Sequence, residues 1–412
     1  MEFRPILSAL LRQRTGPLLV AVQVAISLAI LANALFVVQQ RIAASERPSG
    51  VADEANTGYV FVRPLEKRPH AEILAGRERD LAVLRTVPGV TSVAFTSQMP
   101  MSRSGSNGSV RTSPDQVREA AQPAMYYVDG SFIRTLGLRL VEGRDFTDAD
   151  FVTVDNETAT ELESTPHSVI ITEALGRTLW PGEARFVGKT FLFGMGTGRP
   201  TRVIGVVERL QTVGAQAGVE GEHSILEPLR ISIPFGRYVI RTGPGQLDAA
   251  LAASVEALRK ASPTPIRTFT RSVAEDRLTR YKNEKALAWM LIAVSVLLLL
   301  VTVSGIVGMT MLRVAQRRKQ IGVRRALGAR WRDILRYFVT ENLIITTGGI
   351  AGGLLLALAL NRVLMAHLGM PRLPLEYLAY GAGALWLLGV AAVYGPASRA
   401  ASISPAIATR TA

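Results

Sequence analysis

Residues 286–312 read ALAWMLIAVSVLLLLVTVSGIVGMTML, 27 consecutive positions without a charged side chain. About 20 apolar residues in a helix cross the hydrocarbon core of a bilayer. This run therefore spans a membrane with length to spare for a stalk beyond the lipid. Three further runs share its character: 21 uncharged residues at 18–38, 18 at 344–361 with Glu341 just before them, and 22 at 377–398. Soluble core helices seldom run so long without a charge. Four transmembrane helices are expected, over residues 17–40, 284–313, 338–361 and 376–398. The first run could instead be a secretory leader, and the small-residue stretch Ala43-Ala44-Ser45 follows it. Its apolar part exceeds the roughly 7–15 residues of a leader's core, and Gln39, Gln40 and Arg41 intervene, so a retained helix is the expectation.

The 412 residues are 48% hydrophobic and 19% charged, with a mean hydropathy of +0.23. A soluble domain carries about 25% charge. The balance fits apolar spans joined to one sizeable water-soluble domain. There is no cysteine, which excludes disulfides, thiolate metal sites and thiol catalysis. His70, His167, His223 and His367 are too scattered for a histidine metal site.

The location of the +14 net charge says more than its size. Residues 41–285 hold 31 Lys and Arg against 29 Asp and Glu, so nearly all the excess flanks the apolar runs. A nucleic-acid binder carries its basic face on the folded domain; excess beside spans is the mark of membrane topology. Nine basic residues lie between the second and third runs: Arg313, Arg317, Arg318, Lys319, Arg324, Arg325, Arg330, Arg332 and Arg336, with Asp333 the one acid among them. The N-terminus adds Arg4, Arg12 and Arg14, and the tail Arg399 and Arg410, whereas the short loop 362–375 has only Arg362 and Arg372. The positive-inside rule puts both termini and the loop 314–337 in the cytoplasm. The segment 41–283 and the loop 362–375 are then outside; in a bacterium the chain sits in the inner membrane with a large periplasmic domain. Phe3, Ile6, Leu7, Leu10 and Leu11 share one helix face, so residues 1–16 read as an amphipathic helix lying on cytoplasmic-leaflet lipid. The tail is 399–412.

The outside segment reads as α+β. Strands are expected at 59–62, 90–96, 237–241 and near 266–269, with helices at 71–86 and 247–260, giving two strand–helix–strand units at its ends. Further strands are expected at 124–128, 169–172, 190–193, 203–207 and 231–233. The architecture implied is a βαβ body (41–122 and 235–283) with an inserted strand-rich lobe (123–234). Residues 102–122, rich in Ser, Asn, Arg and Gln, read as a mobile loop. Gly182-Glu-Ala-Arg-Phe-Val-Gly188-Lys189-Thr190 imitates a phosphate loop, but five residues rather than four separate the glycines, and a strand rather than a helix follows.

The loop between the second and third runs reads Gln316-Arg317-Arg318-Lys319-Gln320-Ile321-Gly322-Val323-Arg324-Arg325-Ala326-Leu327-Gly328-Ala329. It resembles the signature E-R-x-x-E-I-G-x-x-R-A-x-G-A of FtsX-like/MacB-like ABC permeases, with Gln316 and Gln320 in place of two acids. Pro396-Ala-Ser-Arg399-Ala-Ala-Ser-Ile-Ser-Pro405-Ala406 is similar to that family's closing motif. The stretches 127–137, 142–146, 171–175 and Trp180-Pro-Gly182 resemble the MacB-type periplasmic core domain, in which the last is a structural turn. The resemblance covers nearly the whole chain. It implies a type VII ABC transporter subunit that binds no cofactor itself, ATP and Mg being held by a cytoplasmic ABC ATPase dimer. It further implies a second permease chain, identical or not, and a periplasmic adaptor with an outer-membrane duct. ATPase motion would pass through the long first and second spans to expel cargo such as a peptide or antibiotic.

Within the loop, Gly328 permits a helix C-cap and turn before Trp331 begins the next helix. Ile321, Val323 and Leu327 offer apolar contacts within an arginine-rich surface. The residues that the resemblance assigns to ATPase coupling are Arg317, Ile321, Gly322, Arg324, Arg325, Ala326, Leu327, Gly328 and Ala329; read alone, the same arginines serve equally as a topology flank touching anionic lipid. Gly348, Gly349, Gly352 and Gly353 form two overlapping Gly-x3-Gly patterns for close helix approach, either between subunits or within one. No ionisable residue lies near the centre of a span, which argues against an ion-coupled relay. Other readings of the chain are a mechanotransmission permease for lipoprotein release or hydrolase regulation, and a membrane sensor with an outside ligand domain. No catalytic or metal spacing supports an enzyme.

Overall fold

The computed structural model describes residues 15–155, 157–160, 163, 165–194, 200–216, 218–368 and 371–402. The amphipathic segment up to residue 14 and the tail beyond 402 lie outside the described residues. The elements run α1 (Thr15–Glu46), β1 (Thr57–Pro64), α2 (His70–Arg85), β2 (Val90–Thr96), β3 (Val110–Arg111), β4 (Ala124–Tyr127), α3 (Phe132–Leu136), β5 (Leu140–Gly143), β6 (Val152–Val154), β7 (Ser168–Thr172), α4 (Glu173–Leu179), β8 (Thr190–Phe193) and β9 (Thr201–Val207). They continue as β10 (Ser224–Glu227), β11 (Leu229–Ile231), β12 (Gly236–Thr242), α5 (Leu247–Ala261), β13 (Ile266–Ser272), α6 (Val273–Gln316), α7 (Arg318–Ala326), α8 (Trp331–Leu368) and α9 (Leu375–Ala401). Contacts divide the chain into two units: Met1–Ile42 with Glu284–Ala412, and Ala43–Asn283.

In the second unit, a four-stranded antiparallel sheet has the order β13-β1-β12-β2. β1–α2–β2 and β12–α5–β13 are split βαβ units, each receiving a strand of the other between its own two. The sequence sets this up: β1 alternates β-branched and aromatic residues, and α5 buries Leu247, Ala250, Leu251, Ser254 and Leu258 on one stripe. Asp248 in the first turn of α5 and Arg259 and Lys260 in its last complement the helix dipole. Val60, Val62, Leu81, Leu84, Val93 and Ile240 form the core between sheet and helices.

The second sheet has seven strands, β3-β8-β9-β7-β10-β4 with β5 also on β9, and β11 pairs with β6 beside it. Its core is built from Val169, Ile171, Phe191, Val203 and Ile225. The expected mobile loop at 102–122 is corrected here. β3 falls within it, Val110 and Arg111 are buried against Phe193 and Leu192 of β8, and Arg111 donates to the Gly194 and Pro114 carbonyls at 2.9 Å each. The apparent phosphate loop is a turn whose amides are already engaged. Phe186 and Val187 N–H donate to the Glu142 carboxylate at 2.9 and 3.2 Å. Gly188 N–H donates to the Val203 carbonyl at 2.8 Å, and the chain enters β8, not a helix.

Residues at the start of α6 are tied into this unit by side chains. Tyr59 donates to buried Asp276 at 2.9 Å, and Arg271 pairs with the same carboxylate at 3.1 Å. Arg277 forms a two-toothed pair with Glu54 (2.6 and 2.5 Å) and caps the carbonyls of Ser45 (3.0 Å) and Arg47 (2.9 Å). Burial works to raise the Glu54 pKa; hydrogen bonds from Arg277 and Ser49 and the Arg277 charge outweigh it and leave the carboxyl below its ordinary value. The last turn of α1 and the first turns of α6 are thereby held together.

Among the described residues four helices are long and apolar enough to cross a membrane, α1, α6, α8 and α9, and their apolar stretches lie in the first unit. Each outruns the apolar run that announced it, because helical hydrogen bonding continues into flanking polar residues wherever nothing caps it. α1 is central. Ser27 shares a 2.7 Å hydrogen bond with Thr302 of α6, and Asn33 donates to the Ala357 carbonyl of α8 at 3.1 Å. The glycine quartet divides. A Cβ on Gly349 would lie 2.7 Å from the Ala21 carbonyl oxygen, and one on Gly353 would lie 2.9 Å from that of Ala25. Gly348 meets nothing within 4 Å, and Gly352 only the Ala25 methyl at 3.7 Å. Close approach thus belongs to Gly349 and Gly353 and is made within one chain, α8 on α1. At the remote end of the bundle, Arg41 pairs with Glu284.

Topology follows from this order of elements and the charge asymmetry. A cysteine replacing exposed Ser113 should react with a membrane-impermeant maleimide in cells whose outer membrane is permeabilised. One replacing exposed Arg330 should react only after the inner membrane is opened. The reverse pattern contradicts the orientation.

Candidate functional site

The nine residues singled out in the loop after α6 lie on a compact helical elbow. α6 stops at Gln316 and Arg317 breaks the helix with φ −102° and ψ 12°. α7 then runs nine residues to Ala326. It ends in a Schellman cap: Gly328 N–H donates to the Arg325 carbonyl at 3.1 Å and Ala329 N–H to the Arg324 carbonyl at 3.0 Å. Gly328 has φ +97°, a conformation that strongly favours glycine. In the first turn of α8, Asp333 accepts from the Arg330 N–H at 2.9 Å.

The elbow has two faces. Inward, Ile321 is 5% exposed and packs in the membrane unit's core with Ile334 and Phe338. This corrects its expected place among the outward apolar contacts; Gly322 is buried beside it. Arg317 is also turned inward. It donates to the Tyr337 hydroxyl at 2.7 Å and lies 3.5 Å from the Glu341 carboxylate, which Arg313 approaches at 3.3 Å. Glu341 is only 2% exposed, so two guanidinium groups offset a charge that would be costly to bury alone. Arg324 lies over the Tyr337 ring at 5.3 Å.

Outward, Leu327 is 83% exposed and Val323 52%. Arg324 and Ala326 are exposed around them, with Arg325 and Ala329 half-buried. An apolar tip ringed by cations on a capped, rigid turn can insert into a hydrophobic cleft bordered by acids, and it carries no group placed for bond chemistry. Sequence reading missed the anchors Tyr337, Glu341 and Arg313. The available signal was Glu341, a lone acid directly before an apolar run. Among the described residues no group of three or more His, Asp or Glu is placed to hold a metal ion.

Four membrane-crossing helices, an α+β domain inserted between the first and second, and a basic elbow between the second and third define a multi-pass permease with one large extramembrane domain. Residues 21–276 match the MacB-like periplasmic core domain and residues 292–405 the FtsX-like permease C-terminal region. The chain belongs to the family of MacB-like, FtsX-like permeases. It is similar to the macrolide export ATP-binding/permease protein MacB of Bradyrhizobium diazoefficiens, 28% identical over an alignment of 304 positions that covers 68% of this chain and 42% of that protein. It is also similar to the pyoverdine export ATP-binding/permease protein PvdT of Pseudomonas syringae pv. tomato, 29% identical over 223 residues, covering 51% of this chain and 33% of that one. The crystal structure of the periplasmic region of MacB from Actinobacillus actinomycetemcomitans aligns with a TM-score of 0.35 at 17% identity, over 57% of this chain and 95% of that one. The chain spans less than half the length of the curated relatives it matches.

Proposed function

We propose that this chain is the permease subunit of an ATP-driven ABC exporter in the bacterial inner membrane. The α7 elbow faces the cytoplasm and docks an ATP-hydrolysing subunit. A second permease chain completes the membrane assembly, and nucleotide-driven motion passes along α1 and α6 to the domain formed by residues 43–283. That domain expels a cargo such as a peptide or an antibiotic through a periplasmic adaptor and an outer-membrane duct. The observation that carries the reading is the Schellman-capped elbow: it fixes an exposed leucine and its surrounding arginines rigidly, at the end of a helix 44 residues long. The names of the relatives, each joining an ATP-binding part to a permease part, support it. The test is reconstitution. The chain alone should show no ATP turnover, and adding its ATPase should give turnover and ATP-dependent loss of cargo from the periplasmic side. Turnover by the chain free of any ATPase, or a docked ATPase whose ATP use moves no cargo, contradicts the proposal.

A further inference from the structure

α2 turns an unusual stripe inward. Its buried positions are Gly76, Arg77, Asp80, Leu81 and Leu84. Leu81 and Leu84 belong to the core under the four-stranded sheet. Gly76, Arg77 and Asp80 instead line a cavity of about 320 Å³, together with Val62 of β1, Phe95 of β2 and Tyr238 of β12. That volume lies in the range of small-molecule sites. A cavity of roughly 150 Å³ accommodates benzene, so this one has room for a two-ring molecule of about a dozen non-hydrogen atoms.

Two residues of the lining are unusual for their positions. Gly76 sits inside a 16-residue helix, where glycine is a poor helix former. A Cβ there would meet only the ends of Arg79 at 3.5 Å and Arg68 at 3.8 Å. Neither backbone geometry nor close packing calls for glycine; what a side chain would occupy is the cavity. Arg77 is 7% exposed. It donates to the Ile231 carbonyl at 2.7 Å, and its guanidinium lies 3.6 Å from the Phe95 ring centroid. Among the described residues no carboxylate comes within ion-pair distance of it. A buried guanidinium ordinarily has an anionic partner. Asp80 is not that partner, because its oxygens accept from Tyr238 at 2.9 Å and Arg79 at 3.3 Å.

We propose that this cavity is a binding site for a small aromatic carboxylate, with the rings in the space that Gly76 leaves open and the carboxylate received by Arg77. Pairing with an anion gives a direct partner to the one buried charge in the lining that has no ion pair, the Asp129 and Glu78 carboxylates acting on it only from beyond ion-pair distance, and flat rings suit walls supplied by Phe95, Tyr238 and Val62. The site is complete within one chain and needs no ATPase, so it stands whether the ligand is cargo or effector.

The test uses the full chain in lipid nanodiscs, equilibrium dialysis of radiolabelled 2-naphthoate, and empty nanodiscs to subtract partitioning. Saturable binding at one molecule per chain is expected. Gly76→Leu, which fills the cavity, and Arg77→Gln should each weaken it roughly tenfold or more, as should replacing the ligand by 2-naphthalenemethanol, which has the same rings without the charge. Gly76→Leu should retain or raise the thermal unfolding temperature, since a better helix former enters the cavity and its Cβ meets only the ends of the flexible Arg79 and Arg68 side chains at ordinary contact distance. On the unmodified chain, 2-naphthoate should slow hydrogen exchange in residues 70–85 and 232–238. No saturable binding above empty nanodiscs overturns the site. Undiminished binding by Gly76→Leu overturns its place in this cavity, and equal binding of the alcohol overturns the role of Arg77.

Discussion

Gly328→Val should release the ATP-hydrolysing subunit from a chain that stays inserted and keeps its outside domain folded. Valine is branched at Cβ and resists φ +97°. Holding it there costs on the order of 1–3 kcal/mol, so the turn relaxes and the two carbonyls capped by Gly328 and Ala329 lose their donors. The damage is local, because a Cβ at Gly328 meets nothing within 4 Å. Leu327→Glu complements it. With Leu327 83% exposed, the substitution leaves the free chain's stability nearly unchanged, yet it removes roughly 1.5–3 kcal/mol of leucine burial at the docked surface. That is about a tenfold to hundredfold loss of docking. Co-purification of the ATPase with each variant, with export measured alongside, is the check. If both variants retain wild-type docking and export, the elbow is a topology flank and nothing more.

The second large effect separates two glycines of the same quartet. Gly353→Leu should strongly destabilise the membrane unit, and Gly348→Leu should not. At Gly353 even a Cβ meets the Ala25 carbonyl oxygen and the Leu28 Cβ, each at 2.9 Å, so α1 and α8 must move apart. Overpacking of this kind costs typically 1–3 kcal/mol, and here it also displaces the helix-to-helix hydrogen bond from Asn33 to Ala357. At Gly348 there is open space. Thermal unfolding in nanodiscs distinguishes them. Equal loss from both contradicts the assignment of close approach to one register, and loss of subunit pairing without unfolding in Gly348→Leu would place the other register between subunits.

The membrane spans were legible because a bilayer imposes one requirement, about 20 uncharged residues, that no tertiary context changes. The sheet body was nearly as legible: the stretch 90–96 is β2 to the residue, since its alternation is local. Other elements depend on partners distant in sequence. β3 is two residues long and exists because β8 accepts it. β10 was hidden by Glu227, a carboxylate buried in a strand. Burial lifts its pKa to about 8, so it enters the core largely as the neutral acid. In the elbow, the Gly328 cap was readable from one glycine between helical patches. The inward turn of Ile321 was not, because a nine-residue helix among arginines does not declare which face is covered. The register of the glycine quartet was equally silent: 348/352 and 349/353 differ by one residue, about 100° of helix rotation, and only α1 chooses between them.

On the proposed function, ATP binding on the cytoplasmic side changes the outside domain through α1 and α6. Hydrogen exchange over residues 43–283, measured on the permease–ATPase complex with and without a non-hydrolysable ATP analogue, tests it most directly. The predicted result is an ATP-dependent change in protection in the segments around Ser45, Glu54 and Arg277, where Arg277 of α6 holds the last turn of α1 and the residues after it, and its disappearance in Gly328→Val. Identical protection with and without nucleotide, in a complex whose ATPase is docked and nucleotide-bound, would contradict it.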